Sequence, residues 1–379
     1  MYISEISPAK HRGELVTWSE IGINVGIVLG FIMGFVVTLT TTGELQWRTL
    51  FLLGTILPCL MIYLALKVMP ESPRWYTLKF RYDEARSVLR DIYPEGYNVE
   101  LVIDDIKEAL ERERLAEETI GWMTILRPTP AFRRMLVVGI GIATAQQLVG
   151  IDAIQYYLLD ILEETVDSVT GQHVILIMLG FIKLVCIFIA GKICDYRGRR
   201  IFLIISLLGM TAALLLISFT FYGTGKENPN TIFTVMGLAL FLAFFSVGMG
   251  PMAWLIPSEV FATCIRAKAM SLAAMLNRVA ATVMSSSFLT MRNTLSWEGF
   301  FLLLAIICLC TLVFVHFLLP ETKGRSLEEM SLYFAEVTGD FSVLDAERKL
   351  RMEQELQTVG GSPAADASPA EEGGSGTMT

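Results

Sequence analysis

The sequence predicts an all-α membrane protein with eight transmembrane spans, and two observations carry that prediction. Hydrophobic residues make up 53% of the 379 residues, charged residues make up 18%, and the mean hydropathy is +0.55. Soluble domains of this length rarely have such a composition. The apolar residues are also grouped into segments of about 20, the length that crosses a bilayer. The net charge of −8 gives no indication of nucleic-acid binding.

Each predicted span is a predominantly apolar stretch, and positive charges alternate between the loops that join the spans. The spans are 15–37, 48–69, 133–159, 173–194, 201–222, 231–256, 268–291 and 299–319. Lys and Arg are concentrated before the first span, in 192–200 and after the last span, whereas the loop 160–172 contains neither. Because short cytoplasmic loops carry an excess of Lys and Arg, we expect both termini to be cytoplasmic.

The spans divide the chain into four parts. Residues 1–69 and 131–320 contain the two groups of spans, and residues 70–130 form a linker that we expect to be cytoplasmic. Within the linker, Ile103, Ile106 and Leu110 have helical spacing, which predicts amphipathic helices. Residues 321–379 form a tail that becomes polar, and we expect it to be disordered from about 340.

Parts of the chain repeat each other. The same seven-residue spacing separates Glu5 from Arg12 and Glu259 from Arg266, and Pro70-Glu71 recurs as Pro320-Glu321. Several apolar spans precede the second copy, but only four residues precede Glu5. From this symmetry we expect four further passes to be missing before Met1.

Four short motifs resemble the signatures of the sugar-porter family of the major facilitator superfamily. They are Glu5 to Gly13, Pro70 to Trp75, Asp195 to Arg200 and Pro320 to Arg325. The resemblance covers about residues 1–335 and implies a major facilitator fold that lacks its first four helices, with the eight spans as helices five to twelve. Asp152, Lys183 and the Asn277-Arg278 pair are most similar to plant-type polyol and monosaccharide proton symporters.

The candidate substrate-binding residues combine amides with aromatic rings. A polyhydroxylated ligand needs uncharged groups that both donate and accept hydrogen bonds, together with flat apolar faces. The sequence offers Gln146, Gln147, Asn277, Trp254, Tyr156 and Tyr157. An alternative role for each amide is to join helices, and the two tyrosines would also suit an aromatic belt at the membrane surface.

Charged residues within the spans are further candidates. Glu20, Lys183 and Arg278 lie inside apolar stretches, where a charge costs about 2.5 to 3.5 kcal/mol, so we expect each to face a cavity or a partner. The resemblance adds Asp152 and places the fifth helix beside the eighth. Glu20 and Lys183 are therefore expected to pair or to share a ligand hydroxyl, with a purely structural ion pair as the alternative.

A second set of charges recurs at span ends that face one side of the membrane. The resemblance implies that these residues form salt bridges which close the transporter on its cytoplasmic side. They are Glu5, Arg12, Asp195, Arg199, Arg200, Glu259 and Arg266. Arg199 and Arg200 would also serve as positive-inside anchors.

The resemblance implies that a monosaccharide or polyol is moved across the membrane by alternating access, with protons as the coupling ion and no other cofactor. Two alternatives remain: an uncoupled sugar facilitator, and a truncated isoform that does not transport but regulates a full-length carrier as its partner. We expect no enzyme activity and no metal site, because His11, His173 and His316 lie far apart and the cysteine spacing matches no zinc site. The chain is expected in the lipid bilayer of the plasma membrane or another cellular membrane.

Overall fold

The computed structural model describes residues 2–6, 12–94, 96–119, 121–193, 198–222 and 230–360, and every regular element in that part of the chain is helical. The helices are α1 (Tyr2–Ile6), α2 (Arg12–Thr40), α3 (Glu44–Lys67), α4 (Pro73–Leu78), α5 (Tyr82–Ile92), α6 (Val99–Thr119), α7 (Met123–Leu126), α8 (Pro130–Leu148), α9 (Ile151–Tyr156), α10 (Leu158–Glu163), α11 (Val169–Ile193), α12 (Arg199–Tyr222), α13 (Thr231–Phe244), a π-helix (Phe245–Met249), α14 (Gly250–Val260), α15 (Arg266–Leu318), α16 (Leu327–Thr338) and α17 (Ser342–Gly360).

The eight predicted spans correspond to seven long apolar helical segments in the described residues, with ends that differ by a few residues. The difference arises in α15, whose 53 residues contain both of the last two predicted spans. Its backbone leaves helical geometry at Ser296, with φ 61° and ψ 177°. A positive φ is costly for a residue with a β-carbon, so Ser296 marks the bend between two membrane passes. The predicted all-α membrane fold is confirmed.

The first two spans and the later ones are packed very differently. Most of the membrane-crossing part of Pro130–Tyr156 is buried, at 61%, whereas no residue of Glu44–Lys67 is buried. Helix α2 contacts the later spans along α11, where Val28 and Phe31 lie against Gly180. This pairing brings the fifth and eighth helices together, as expected.

Two local breaks shape the centre of the bundle. Gly150 has φ 87° and separates α8 from α9, a left-handed conformation that glycine adopts without strain. Gly248 and Met249 are the last residues of the π-helix that follows α13, and Gly250 and Pro251 are the first residues of α14. A β-carbon added at Gly248 would lie 2.3 Å from the β-carbon of Ser206, so glycine permits α12 to approach closely. π-helical segments of this kind often occur at functional sites.

Helices α4 to α7 lie within residues 70–130, and the cytoplasmic position of this linker stays a prediction. The tail differs from the expectation of disorder from about 340. Residues Ser342–Gly360 form α17, which packs against α16 and α6. Its Val343 and Leu350 are buried, at 0% and 4% exposure. These two apolar residues are seven positions apart and lie on one face of the helix. Most residues between them are polar, so the composition of the segment did not predict a buried helix face. Residues 361–379 lie outside the described part of the chain.

Candidate substrate site and charge network

Three amides form a buried cluster where α8 meets α15. Gln146, Gln147 and Asn277 are exposed by only 7%, 4% and 0%. The Asn277 Nδ2 donates to Gln146 Oε1 at 2.9 Å, and Gln147 Nε2 lies 3.5 Å from Asn277 Oδ1. The sequence predicted these residues as candidates, and the structure brings all three together. We call them the amide cluster.

Main-chain carbonyl groups complete most of the hydrogen bonding in the amide cluster. Gln146 Nε2 donates to the carbonyl oxygen of Gly250 at 2.9 Å, and Asn277 Nδ2 also donates to that of Ala143 at 2.6 Å. By contrast, Gln147 Oε1 is buried and has no hydrogen-bond partner among the described residues. An unpaired buried acceptor costs about 1 to 3 kcal/mol. The cluster therefore presents an acceptor that a ligand hydroxyl can satisfy.

A second polar contact lies just after the break at Gly150. Lys183 Nζ on α11 donates to Gln155 Oε1 on α9 at 2.6 Å, and both side chains are half-buried. Asp152 is also half-buried and precedes Gln155 by three residues, so the two share one face of α9. The sequence-based candidates did not include Gln155. The three-residue spacing between Asp152 and Gln155 is the sequence feature that could have indicated Gln155.

The aromatic and cationic candidates occupy different environments. Tyr157 stacks on Phe288 with ring centroids 4.0 Å apart and planes 7° apart, and Trp254 is half-buried. Tyr156 is 66% exposed, and Arg278 is also exposed. Consecutive residues of a helix point about 100° apart, which separates Arg278 from the buried Asn277. The structure therefore does not bring Tyr156 or Arg278 into the amide cluster.

Charged side chains meet at the end of the bundle where α12 begins. Arg199 Nη2 lies 3.2 Å from Glu259 Oε1, and the other oxygen of Glu259 accepts a hydrogen bond from Thr322 Oγ1 at 2.6 Å. Glu321 accepts from the backbone N–H groups of Arg199 and Arg200, at 2.9 Å and 3.3 Å. A carboxylate at a helix N-terminus is favoured by the helix dipole. We call these five residues the charge network.

The charge network includes two residues, Glu321 and Thr322, that the sequence-based candidates omitted. Both residues belong to the motif from Pro320 to Arg325. The contact of Thr322 with Glu259 depends on how distant helices pack, so the motif alone did not predict it. A β-carbon at Gly198 would lie 2.4 Å from Glu321 Oε2, so the missing side chain at this position makes room for the carboxylate.

The other predicted salt-bridge residues have different neighbours. Glu5 Oε2 accepts a hydrogen bond from Ser72 Oγ at 2.6 Å. Arg266 Nε is 3.5 Å from the carbonyl oxygen of Phe261, and the carboxylates of Glu347 and Glu328 act on Arg266 electrostatically. The ion pairs expected for Glu5 and Arg266 stay predictions. Asp195 and the side chains of Arg12 and Glu20 lie outside the described residues.

A multi-pass helical bundle with an amide-lined centre and a charge network at one end has the architecture of a major-facilitator membrane transporter. The chain belongs to the family described as "Sugar (and other) transporter", whose sequence profile matches residues 1–334. This is a family of transporters and not of enzymes. The resemblance to sugar porters is therefore confirmed.

Individual relatives agree with this assignment. Over 361 residues the chain is 36% identical to "Probable polyol transporter 4" of Arabidopsis thaliana, covering 94% of this chain and 68% of that protein. The inward-open xylose transporter XylE from E. coli matches with a TM-score of 0.71 at 25% identity, covering 88% of this chain and 68% of that one. A structure of the proton:xylose symporter XylE bound to 6-bromo-6-deoxy-D-glucose matches with a TM-score of 0.65 at 26% identity, covering 88% of this chain and 69% of that one.

Proposed function

We propose that this chain carries a monosaccharide or polyol across a membrane by alternating access and that the amide cluster binds the substrate. The observation that carries the proposal is the buried Gln147 Oε1, which has no hydrogen-bond partner among the described residues. Gln146 and Asn277 hold the cluster in place through hydrogen bonds to main-chain carbonyl groups, which leaves Gln147 to accept from a substrate hydroxyl. The names of the polyol-transporter relatives support this substrate class.

The proposed site extends from the amide cluster along α9. Asp152 and the Gln155–Lys183 pair would contribute polar groups there, while Tyr157 and Trp254 would supply aromatic faces. We include Glu20, Tyr156 and Arg278 in the proposal because they are polar or aromatic residues of spans that border this region. An intramembrane charge usually serves a function, since its insertion is costly.

We propose that transport is coupled to protons. The XylE structures that this fold resembles include a proton:xylose symporter, which supports coupling. Asp152 and Glu20 are the acids of this chain that lie within the spans and could take up a proton. In an uncoupled facilitator, the same site would bind and release substrate without proton uptake by these acids.

The charge network would control access from one side. We propose that this side is the cytoplasm, that both termini lie there, and that the plasma membrane or another cellular membrane holds the protein. Opening toward the cytoplasm would then separate Arg199 from Glu259, so the network shifts the conformational equilibrium without touching substrate. Glu5, Arg12, Asp195, Arg200 and Arg266 are proposed to take part.

Uptake of radiolabelled sorbitol and xylose by cells that lack their own sugar carriers tests this proposal. We expect saturable uptake that falls when a protonophore removes the proton gradient. Uptake that ignores the protonophore would contradict coupling and favour the facilitator.

If the protein reaches the membrane but takes up neither sorbitol nor xylose, the proposed transport activity would be contradicted. Co-purification of that inactive chain with a longer carrier would instead favour the regulatory isoform. Val279→Ala is the matched control for variants of the amide cluster, because Val279 is 52% exposed and lies two residues from Asn277.

A further inference from the structure

The end of the bundle opposite the charge network contains an ion pair that the proposed function does not use. Glu164, directly after α10, pairs with Arg292 near the bend of α15. Their side chains are 42% and 30% exposed, so water reaches both groups. The two residues are 128 positions apart in sequence, so the pair joins two separate spans.

Arg292 also contacts the aromatic residues beside it. Its guanidinium carbon lies 4.6 Å from the centroid of the Trp297 ring, a cation–π geometry. Trp297 is only 8% exposed and packs against Phe288 with ring centroids 6.0 Å apart. Phe288 in turn is fully buried and stacks on Tyr157. A continuous series of contacts therefore runs from the ion pair to a residue of the proposed substrate site.

These contacts connect α15 to the α9–α10 segment at two points. Tyr157 lies at the junction of α9 and α10, and Glu164 lies just beyond the end of α10. Gly150 separates this segment from α8, so the position of α9 and α10 depends on what holds them from the side. The Trp297 Nε1 is buried without a hydrogen-bond partner among the described residues, so ring contacts and Arg292 hold this indole in place.

We propose that Glu164 and Arg292 are positioning residues that hold Tyr157 at the edge of the substrate site. Their ion pair holds the end of α10 against α15, and neither residue touches the substrate. Breaking the pair lets the α9–α10 segment move away from α15, which lowers substrate affinity while the turnover rate changes little. The effect on affinity rests on the proposed function, whereas the effect on the position of the segment does not.

Exchanging the two charges tests the pair. We expect Glu164→Arg and Arg292→Glu each to raise the KM for sorbitol uptake about 2- to 5-fold, the range of an exposed ion pair. The double exchange Glu164→Arg with Arg292→Glu restores the ion pair but not the cation–π contact with Trp297, so its KM should be lower than that of either single variant. Glu163→Gln changes the neighbouring exposed glutamate and should leave KM unchanged. In a Tyr157→Ala background, the single exchanges should have no further effect on KM.

A KM of the double exchange that is no lower than that of the single variants, or single effects that persist in the Tyr157→Ala background, would overturn the proposal. Hydrogen–deuterium exchange of the purified full chain decides the positioning without any substrate. The backbone amides of 151–163 should exchange faster in each single variant than in the original protein, and more slowly in the double exchange than in either single variant. Unchanged amide exchange in the single variants would overturn the proposal whether or not the protein transports polyols.

Discussion

The amide cluster and the charge network are both polar, yet they are built from different chemistry. In the amide cluster, uncharged side chains are almost completely buried, with Asn277 at 0% exposure. In the charge network, Arg199 and Glu259 are 16% and 24% exposed. Full charges in the membrane centre carry a penalty of about 2.5 to 3.5 kcal/mol, whereas water at the bundle end reduces that cost.

This difference separates two tasks. Buried amides give directional hydrogen bonds to hydroxyl groups without the cost of burying a charge. Charges near water form pairs that can break and form again at a modest cost. The comparison predicts that changes in the amide cluster alter substrate affinity and changes in the charge network alter the conformational equilibrium.

The largest expected effect comes from Asn277→Leu. Leucine has a similar volume but leaves Gln146 Oε1 and the carbonyl oxygen of Ala143 without this donor, at about 1 to 3 kcal/mol for each buried group. We expect sorbitol uptake to fall about 10- to 100-fold and the thermal unfolding midpoint in detergent to fall as well. Equal uptake by Asn277→Leu and the Val279→Ala control would show that the cluster is not needed.

Glu259→Gln should have an intermediate effect on the opening of the bundle end. Burial raises the pKa of the nearby Cys264 thiol to about 12, so this cysteine reacts slowly while the network is closed. We expect Glu259→Gln to speed labelling of Cys264 by a water-soluble thiol reagent about fivefold, because the pair with Arg199 is lost.

The matched control for this measurement is Glu336→Gln, which changes an exposed glutamate of α16. Site-resolved mass spectrometry distinguishes Cys264 from the other cysteines. If Glu259→Gln and Glu336→Gln gave the same Cys264 labelling rate, the charge network would not govern access at this end.

The smallest effect concerns Asp340, which joins the tail to the start of α8. Its Oδ2 accepts from the backbone N–H of Ala131 at 3.1 Å. Desolvation opposes ionisation, but hydrogen bonds from Thr129, Ala131 and Ser342 outweigh it and lower the pKa of the Asp340 carboxyl from 3.8 to about 2. The folded state therefore gains stability from this group above about pH 4 and loses it as the pH falls toward 2.

Asp340→Asn should lower the thermal unfolding midpoint by a few degrees at about pH 6, and the difference from the original protein should shrink near pH 3. The exposed Asp345 of α17 supplies the control Asp345→Asn. A midpoint difference for Asp340→Asn that is independent of pH would rule out the ionised carboxyl as the cause.

The sequence was informative wherever composition or spacing determines structure. Apolar segments of bilayer length predicted the spans, and the amides of Gln146, Gln147 and Asn277 stood out because polar residues are rare in such segments. The family motif from Asp195 to Arg200 indicated Arg199, and the repeated spacing of Glu5 and Arg12 indicated Glu259.

Other features depend on contacts between distant parts of the chain. The pairing of Lys183 with Gln155 follows from how α9 turns after Gly150, and the binding of Glu321 to the start of α12 depends on the meeting of two span ends. The polar composition of α17 did not predict a packed helix, although Val343 and Leu350 are buried apolar residues on one of its faces. Short local patterns do not specify such tertiary contacts.

The most direct test of a substrate-binding amide cluster is Gln147→Leu, measured by calorimetric titration of the purified protein with sorbitol and by thermal unfolding. Gln147→Leu removes the Oε1 acceptor, which has no partner among the described residues, but also the long 3.5 Å contact from Gln147 Nε2 to Asn277 Oδ1, so the unfolding midpoint should change little. We predict that the Kd for sorbitol rises about tenfold or more in Gln147→Leu. A Kd equal to that of the original protein would contradict the account.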